Sequence, residues 1–511
     1  MQSENNSNNK PFNKRKGQAS GNRKFDSRGK APFGKRNSRP RNGKPSNTGR
    51  KPFTKGKPKE APEKKQNSLA RLTAFRIIQD ITVRGAYTSL AINNVLKVNK
   101  LPDNDKRLVT NIVYTTIENI IKIDYCIDSF MEHPSYEPAL RDVLRIGVAQ
   151  ILFMDKIPDF AIINESVNLM RLVSSVEAWQ GVVNGVLRNI VRNKDNIAWP
   201  KESDDPEKYL SVMYSMPQWL VHKLILTFGE EEAKNIITYS GKENRTCIRP
   251  NLMRIKPEDF EKLLQEKNWE YEKGIVPNSY LVKHIDSISE DKDYKAGIFS
   301  VQGQSSMLAA MAVDNKLGMT VLDACAAPGG KTFYMAEKQQ GSGRVFAWDI
   351  YPHRVELIRQ QMYRLSPGNV RVSECDASKY REEMFEFFDR VLIDAPCSNL
   401  GVAAEKPDLL MKLNEDSFKS ITELQAKILD NCAKYLKVGG ILVYSTCSIL
   451  PEENEEQVKK FLERNPNFSV AKFPDYYPKE ILKHKGEIGI SLFTHSSGIE
   501  GFYIARLIKN E

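Results

Sequence analysis

Two cysteines stand where two apolar runs end. In YSTCSILPEENE, Tyr444 to Glu455, Cys447 follows the glycine-led run GGILVY and precedes Pro451 and a cluster of acids that reads as a helix start. Upstream, in RVLIDAPCSN, Arg390 to Asn399, Cys397 closes a similar run. A thiol is a strong nucleophile only as its thiolate, a few per cent of a free cysteine at neutral pH, and helix N-termini and nearby cations enrich that form. Taken singly, a cysteine is more often a small buried hydrophobe than a catalyst. Two at the mouths of two strands raise the question of paired chemistry.

A third stretch bears on that question. VLDACAAPGGKT, Val321 to Thr332, follows a predicted strand and opens a predicted helix. Its small residues and Gly-Gly pair let a ligand approach the backbone, with helix N–H groups pointing at it. Asp349 ends the next run (FAWD), where a carboxylate suits ribose hydroxyls, and Asp376 follows the third (VSECDAS), where it could meet an adenine edge. The loop spells neither G-x-G-x-x-G nor the phosphate-binding G-x-x-x-x-G-K-[ST]. A βα turn of this kind with acids after the next two strands suits an adenosine ligand lacking phosphates, such as S-adenosylmethionine. The bland alternative is a Gly-Gly turn closure with acids capping helices.

The elements that must position these residues are legible from Val301 onward. TVLDAC, RVFAWD, VRVSE, RVLIDA and ILVYST are short and β-branched, and helical stretches such as RVELIRQQMYRL and ITELQAKILDNCAKYL separate them. That alternation predicts parallel strands with crossover helices in an open doubly wound, Rossmann-like α/β sheet, whose ligands bind beyond the carboxyl ends of the strands. The predicted catalytic domain is 299–511. Before it, 198–298 reads as a small α+β subdomain, with strands in RTCIRPNLMRI and SYLVKHI around the helix PEDFEKLLQEK, and no legible chemistry. Residues 68–197 carry helical spacing: Leu69, Leu72, Phe75 and Ile78 recur at steps of three, and Val143, Ile146, Ala149 and Phe153 at three or four, predicting an all-helical domain.

Charge is unevenly spread. Residues 1–66 hold 20 Lys and Arg against 4 acids, +16, while the remaining 56 bases and 60 acids give −4. This tail is poor in aliphatic residues, reads as disordered, and repeats Phe among cations (KPFNKRKG, RKFDSRGK, APFGKRN, KPFTKGK). Cations for phosphates and aromatics for unpaired bases predict nonspecific RNA contact; the alternative is a solubilising tail. Seven cysteines without C-x-x-C spacing, a polar N-terminus and no long apolar run predict an intracellular, cytoplasmic protein with reduced thiols, no structural metal and no membrane span.

LDACAAPGGKT, DAPCSNLG, the Pro407–Asp408 pair and YSTCSILPEEN resemble the signature motifs of the RsmB/Sun-type RNA cytosine-5 methyltransferases. The likeness runs from Val301 to Lys509 and ends in the strand GFYIARLIK; the helical region, through its overall pattern and WQGVVNGVLRN, is similar to the NusB-like RNA-binding domain of that family. The resemblance implies methyl transfer from S-adenosylmethionine to carbon 5 of a cytosine in RNA, 16S rRNA of the small subunit, by a monomer. It assigns Cys447 as the thiolate that adds to carbon 6 so that carbon 5 can attack the methyl group, and Cys397 to release of the product by β-elimination. Asp394 would bond the cytosine edge near N3, and Lys331 would add positive charge beside the donor. Donor contacts carry over to Cys325, Ala326, Ala327, Pro328, Gly329, Gly330, Lys331, Asp349, Asp376 and Asp394. Two departures stand out: SVQGQSS has Gly303 where the family has an acid, and GVAAEKPD has Ala403 and Ala404 where a basic pair is common.

Rival readings are an adenine N6-methyltransferase, which would need a [DN]PP[YF] tetrad; a DNA cytosine methyltransferase, which uses the Pro-Cys cysteine as nucleophile; a non-catalytic RNA-binding assembly factor; and a methyltransferase of another RNA such as tRNA. For the tail, deletion of residues 1–66 is expected to weaken RNA binding and flatten its salt dependence, by roughly 0.7 in slope for each single-strand phosphate that the tail no longer neutralises. Fluorescence anisotropy over a salt series checks this, and an unchanged slope means that the tail does not touch RNA.

Overall fold

The residues spaced by three in the first helix are helical as expected, but they do not all face the core. In α1 (Lys64–Thr82), Leu69 is 45% exposed while Phe75 and Ile78 are buried, and Ala70, Ala74, Ile77 and Ile81 complete the core stripe. The reason is geometric: at about 100° per residue, steps of three fall 60° short of a turn, so Leu69 lies on the opposite side from Ile78. The computed structural model describes residues 64–99, 101–131, 137–239, 245–283, 285, 288–403 and 407–510. The tail expected to be disordered lies outside the described residues up to residue 63, and α1 begins at Lys64.

Six further helices pack with α1: α2 (Thr88–Val98), α3 (Asp103–Glu118), α4 (Ile120–Ser129), α5 (Pro138–Phe153), α6 (Asp159–Val173) and α7 (Ala178–Arg192). α5 is the centre of this core, with Val143, Ile146 and Ala149 fully buried. Gly147 lets α7 come close: a Cβ there would lie 2.7 Å from Leu187 Cδ1. Buried charge in α5 is matched. Arg141 donates to Asp124 Oδ1 (2.9 Å) and, through two nitrogens, to Asp128 (2.5 and 3.0 Å), while Arg145 bridges Asp124 (2.6 Å) and Asp142 (2.9 Å). Such two-pronged pairs offset the desolvation of the ions. Among the described residues no helix is long and apolar enough to cross a membrane.

Three helices follow, Pro206–Met213, Gln218–Phe228 and Glu230–Thr238, and then a small antiparallel sheet. Its strands are β1 (Arg245–Pro250), β2 (Tyr271–Lys273), β3 (Tyr280–Lys283) and β4 (Phe299–Val301), in the order β2-β3-β1-β4. The helix Pro257–Glu266 covers it, with Phe260 and Leu264 against Ile248, Tyr280 and Phe299. β4 begins at Phe299, so the small sheet draws its fourth strand from the residues assigned by sequence to the catalytic domain. Arg249, buried on β1, donates to Gln302 (2.6 Å) and pairs with Glu337 (2.5 Å), which ties this sheet to the larger one.

The larger sheet contains β5 (Thr320–Asp323), β6 (Arg344–Asp349), β7 (Val370–Glu374), β8 (Phe388–Asp394), β9 (Leu436–Thr446), β10 (Phe468–Val470), β11 (Gly489–Leu492) and β12 (Phe502–Lys509). The order is β10-β12-β9-β8-β5-β6-β7, with β11 also paired to β12. β7, β6, β5, β8 and β9 are mutually parallel, as the strand–helix alternation predicts; β12 runs antiparallel to β9, β10 and β11, making the sheet mixed. A strand without a crossover helix before it is free to return antiparallel. The chain leaves β5 toward β6 on one side and returns to β8 on the other, so the topological switch point lies between β5 and β8.

The tight α5–α7 packing gives a stability test. Gly147→Val is expected to destabilise the helical core by about 1–3 kcal/mol through overpacking against Leu187. Hydrogen exchange should report it as reduced protection in α5 and α7 with the larger sheet unchanged.

Candidate active site

The loops of interest leave the carboxyl ends of β5, β8 and β9. After β5 the backbone is pinned by Ala324 N–H donating to Leu392 O (2.9 Å) and Ala326 N–H to Trp348 O (2.8 Å). Gly329 then takes a φ of +109°, which favours glycine, and the helix Gly330–Lys338 begins. In its first turn, Lys331 donates to Asp394 Oδ2 at the end of β8 (2.7 Å), spanning the switch point, and its ammonium lies 5.3 Å from the Phe502 ring centre. Ser445, at the end of β9, donates to Asp394 Oδ1 (2.9 Å). Burial opposes charge on Lys331, but Asp394, Asp323 and Cys447 outweigh it and hold the amine above its ordinary pKa.

Cys397 and Cys447 come together, their sulfurs 2.9 Å apart and both half-buried. The hydrogen bond to Cys447, and then burial, push the Cys397 thiol well above its ordinary value, so Cys397 keeps its proton. Asn399 sits at a φ of 60°, donates its amide N–H to Cys397 O (3.0 Å), and presents Oδ1 to the Cys447 thiol (3.0 Å). Gly401 N–H donates to Cys447 O (2.9 Å) and Gly501 N–H to Gly401 O (2.9 Å), so the two cysteine loops and the approach to β12 share one backbone junction. A side chain at Gly401 would collide with Gly501 O. The element after Cys447 differs in detail from the expectation: Pro451 opens a short 3-10 turn, Pro451–Glu453, and the α-helix starts at Glu455.

Asp349 is buried at the end of β6, accepts from Tyr351 N–H (3.1 Å), and has Arg354 Nε 3.5 Å away. Asp376 lies beyond β7 and closes its own turn, accepting from Ser378 N–H (3.0 Å) and Oγ (2.6 Å) with Lys379 at 3.2 Å; burial raises its pKa less than these contacts lower it. Cys325 is held well above an ordinary thiol by burial and stays protonated, while Ala326 is buried, Ala327 half-buried and Pro328 exposed. Gly303 and Ala403 acquire explanations. A side chain at 303 would meet the carboxylate of Glu500, which instead accepts from Ser305 N–H (3.1 Å) and Oγ (3.0 Å) and caps the helix Gln304–Val313. Ala403 is buried in a core with Leu400, Leu410 and Leu450 against the helices of 206–238, where a cation would be desolvated; Ala404 lies outside the described residues.

Several site residues were not singled out by sequence. Asp323 is fully buried at the end of β5; burial pushes its carboxyl up to about 7, Thr332 donates to one oxygen (2.6 Å), and Oδ1 has no partner among the described residues. Behind the cysteines, Glu453 joins Ser398, Ser448 and Gln425. The signal available for this cluster was the Cys-Ser pair, present at both 397–398 and 447–448. Among the described residues no group of three or more His, Cys, Asp or Glu is placed to hold a metal ion.

The residues fit S-adenosylmethionine. Carboxylates at the ends of three adjacent strands, Asp323, Asp349 and Asp394, surround a Gly-Gly turn and can accept from ribose and amine donors, and the orphaned Oδ1 of Asp323 awaits a donor. The negative charge of Asp349 and Asp394 complements a sulfonium.

Residues 310–508 match the family described as 16S rRNA methyltransferase RsmB/F, and residues 68–192 match the NusB family. The chain is similar to a probable ribosomal RNA small subunit methyltransferase B of Bacillus subtilis, 33% identical over 430 residues, covering 83% of this chain and 95% of that protein. A counterpart of Synechocystis, with the same description, is 29% identical and covers 86% of this chain and 99% of its own length. The crystal structure of PH0851 superposes with a TM-score of 0.74 at 25% identity, covering 88% of this chain and all of that one. The loops that meet at the switch point are therefore those of an S-adenosylmethionine-dependent methyltransferase, and the chain belongs to the RsmB/F family.

Proposed function

We propose that this methyltransferase modifies carbon 5 of a cytosine in RNA, the 16S rRNA of the small ribosomal subunit, through a covalent adduct with Cys447. The observation that carries the reading is the pair of sulfurs 2.9 Å apart beside the Lys331–Asp394 pair. The rRNA substrate rests on the family description and on the names of the relatives. The NusB match supports RNA contact by the helical region, and a monomer with a tail-assisted grip on RNA completes the reading.

Bound S-adenosylmethionine would supply an electrophilic methyl group, held by the loop Cys325–Lys331 with Asp349, Asp376 and Asp394. Asn399 Oδ1 orients the Cys447 thiol; as the thiolate, its proton lost to solvent water, Cys447 bonds to carbon 6, which moves the ring's electron pair to carbon 5. Asp394 keeps acceptor capacity beyond Lys331 and Ser445 and takes a hydrogen bond from the cytosine edge near N3. Lys331 offsets the negative charge that Asp394 carries and shifts toward the ring. After methylation solvent water takes the carbon-5 proton, the electron pair of that C–H bond re-forms the carbon 5–carbon 6 double bond, and the carbon 6–sulfur bond breaks with its pair going to sulfur. Cys397, which keeps its proton, donates to the departing Cys447 sulfur.

Two experiments test this. Asp349→Ala is expected to weaken S-adenosylmethionine binding by about 1–3 kcal/mol in calorimetry, the usual cost of unpaired buried polar partners, and near-native affinity in a folded variant removes Asp349 from the site. With labelled RNA on a denaturing gel, Cys447→Ala should lose both methylation and covalent attachment, whereas Cys397→Ala should accumulate a slow-running protein–RNA adduct. The opposite pattern makes Cys397 the nucleophile, and full activity in both variants ends the covalent reading.

A further inference from the structure

Beneath the two thiols lies a polar knot that the reaction scheme does not use. Glu453 is fully buried, yet all four groups that touch its carboxylate are neutral. Oε1 accepts from the hydroxyls of both Ser398 and Ser448, each at 2.5 Å, and those hydroxyls are 3.0 Å from one another. Oε2 accepts from Ser398 N–H (2.9 Å) and from Gln425 Nε2 (3.0 Å), and the same Gln425 nitrogen also donates to Pro396 O (2.9 Å). The Glu453 carbonyl accepts from the Tyr444 hydroxyl (2.7 Å). Asn454 extends the knot, accepting from Thr446 Oγ1 (2.5 Å) and donating to Ser448 O (2.9 Å).

Ser398 follows Cys397 and Ser448 follows Cys447, so one carboxylate oxygen joins the residues next to both thiols. A carboxylate buried without a cation costs several kcal/mol of desolvation, and hydrogen-bond donors return only part of it. What an apolar core here would lack is a link between the residues directly after the two thiols, which the backbone contact from Gly401 N–H to Cys447 O does not supply.

We infer that Glu453 is a positioning residue that sets the spacing and orientation of Cys397 and Cys447 by holding Ser398 and Ser448 on one oxygen. Its role in catalysis rests on the covalent reading above; its role in holding the sulfurs does not. Glu453→Gln keeps the shape but replaces one acceptor oxygen by an amide N–H, so at least one of the four donors on the carboxylate loses its acceptor and the shared hold on the two loops weakens.

The experiment compares wild type, Glu453→Gln and the double variant Ser398→Ala/Ser448→Ala in the full chain. Diamide accepts two electrons and two protons from the two thiols as they form a disulfide, and peptide mapping gives the rate of Cys397–Cys447 coupling. Both variants should couple at least about tenfold more slowly, and kcat should fall by a similar factor while KM for RNA and affinity for S-adenosylmethionine move less than about threefold. Glu453→Asp, which keeps the charge, should recover part of both. If Glu453→Gln does not fold, the double variant, which leaves the carboxylate with Ser398 N–H and Gln425, carries the same expectation. Native coupling rates in a folded variant overturn the inference, as does a loss of kcat with unchanged coupling. Should wild type form no adduct with RNA while the coupling rates fall as expected, the covalent reading fails and the positioning role stands.

Discussion

The parallel register of β8 on β9 is the constraint from which the site follows. Asp394 is paired with Ser445, so the two strands end level. Cys397 lies three residues beyond the first of that pair and Cys447 two beyond the second, and this brings residues fifty apart in the chain to 2.9 Å. A slip of one residue would turn the alternate set of side chains to each face and carry Asp394 away from Lys331. β5, on the other side of β8, adds the glycine loop and completes the switch point.

Charge is managed differently at each depth of this site. Lys331 survives burial because Asp394 is within 2.7 Å and other negative groups lie near. Among the described residues Asp323 has no cation in direct contact, and its carboxyl is instead pushed up to about 7 by burial, which moderates the negative charge that Asp349 and Asp394 add close by. Glu453 is satisfied by neutral donors. The result is a site in which the buried ammonium of Lys331 interacts with Cys447 as well as with Asp394 and Asp323, and an opposite charge nearby favours a thiolate.

The two cysteine loops are also where the other parts of the chain converge. Asp408, of the Pro-Asp pair, is buried and accepts from Thr88 N–H at the start of α2 (3.2 Å). The Lys412 ammonium lies 3.3 Å from the Tyr87 ring centre. The helices of 206–238 share a core with Leu400, Ala403, Leu410 and Leu450, which flank both cysteines. A loop held from both sides presents its side chains with less conformational freedom than one held by its strands alone, and that preorganisation favours a fixed catalytic geometry.

Local signals in the sequence determined much. Strand–helix alternation identified the parallel strands, the small-residue loop with its acids pointed to an adenosine ligand without phosphates, and the position of two cysteines at strand ends raised covalent chemistry, because each depends on residues close together in the chain. Tertiary structure decided the rest. Steps of three precess around a helix, so spacing alone leaves the core face of α1 open, and packing against α3 and α5 puts Phe75 and Ile78 inside and Leu69 outside. The antiparallel return of β12 depends on a partner strand far away in the chain. Glu453, Asn399 and Asp323 could not be ranked by type, since an acid after a proline or an asparagine in a loop has many ordinary uses. Their importance comes from what they touch, and contacts between β8, β9 and the turn at Pro451–Glu453 exist only once the sheet has set its register.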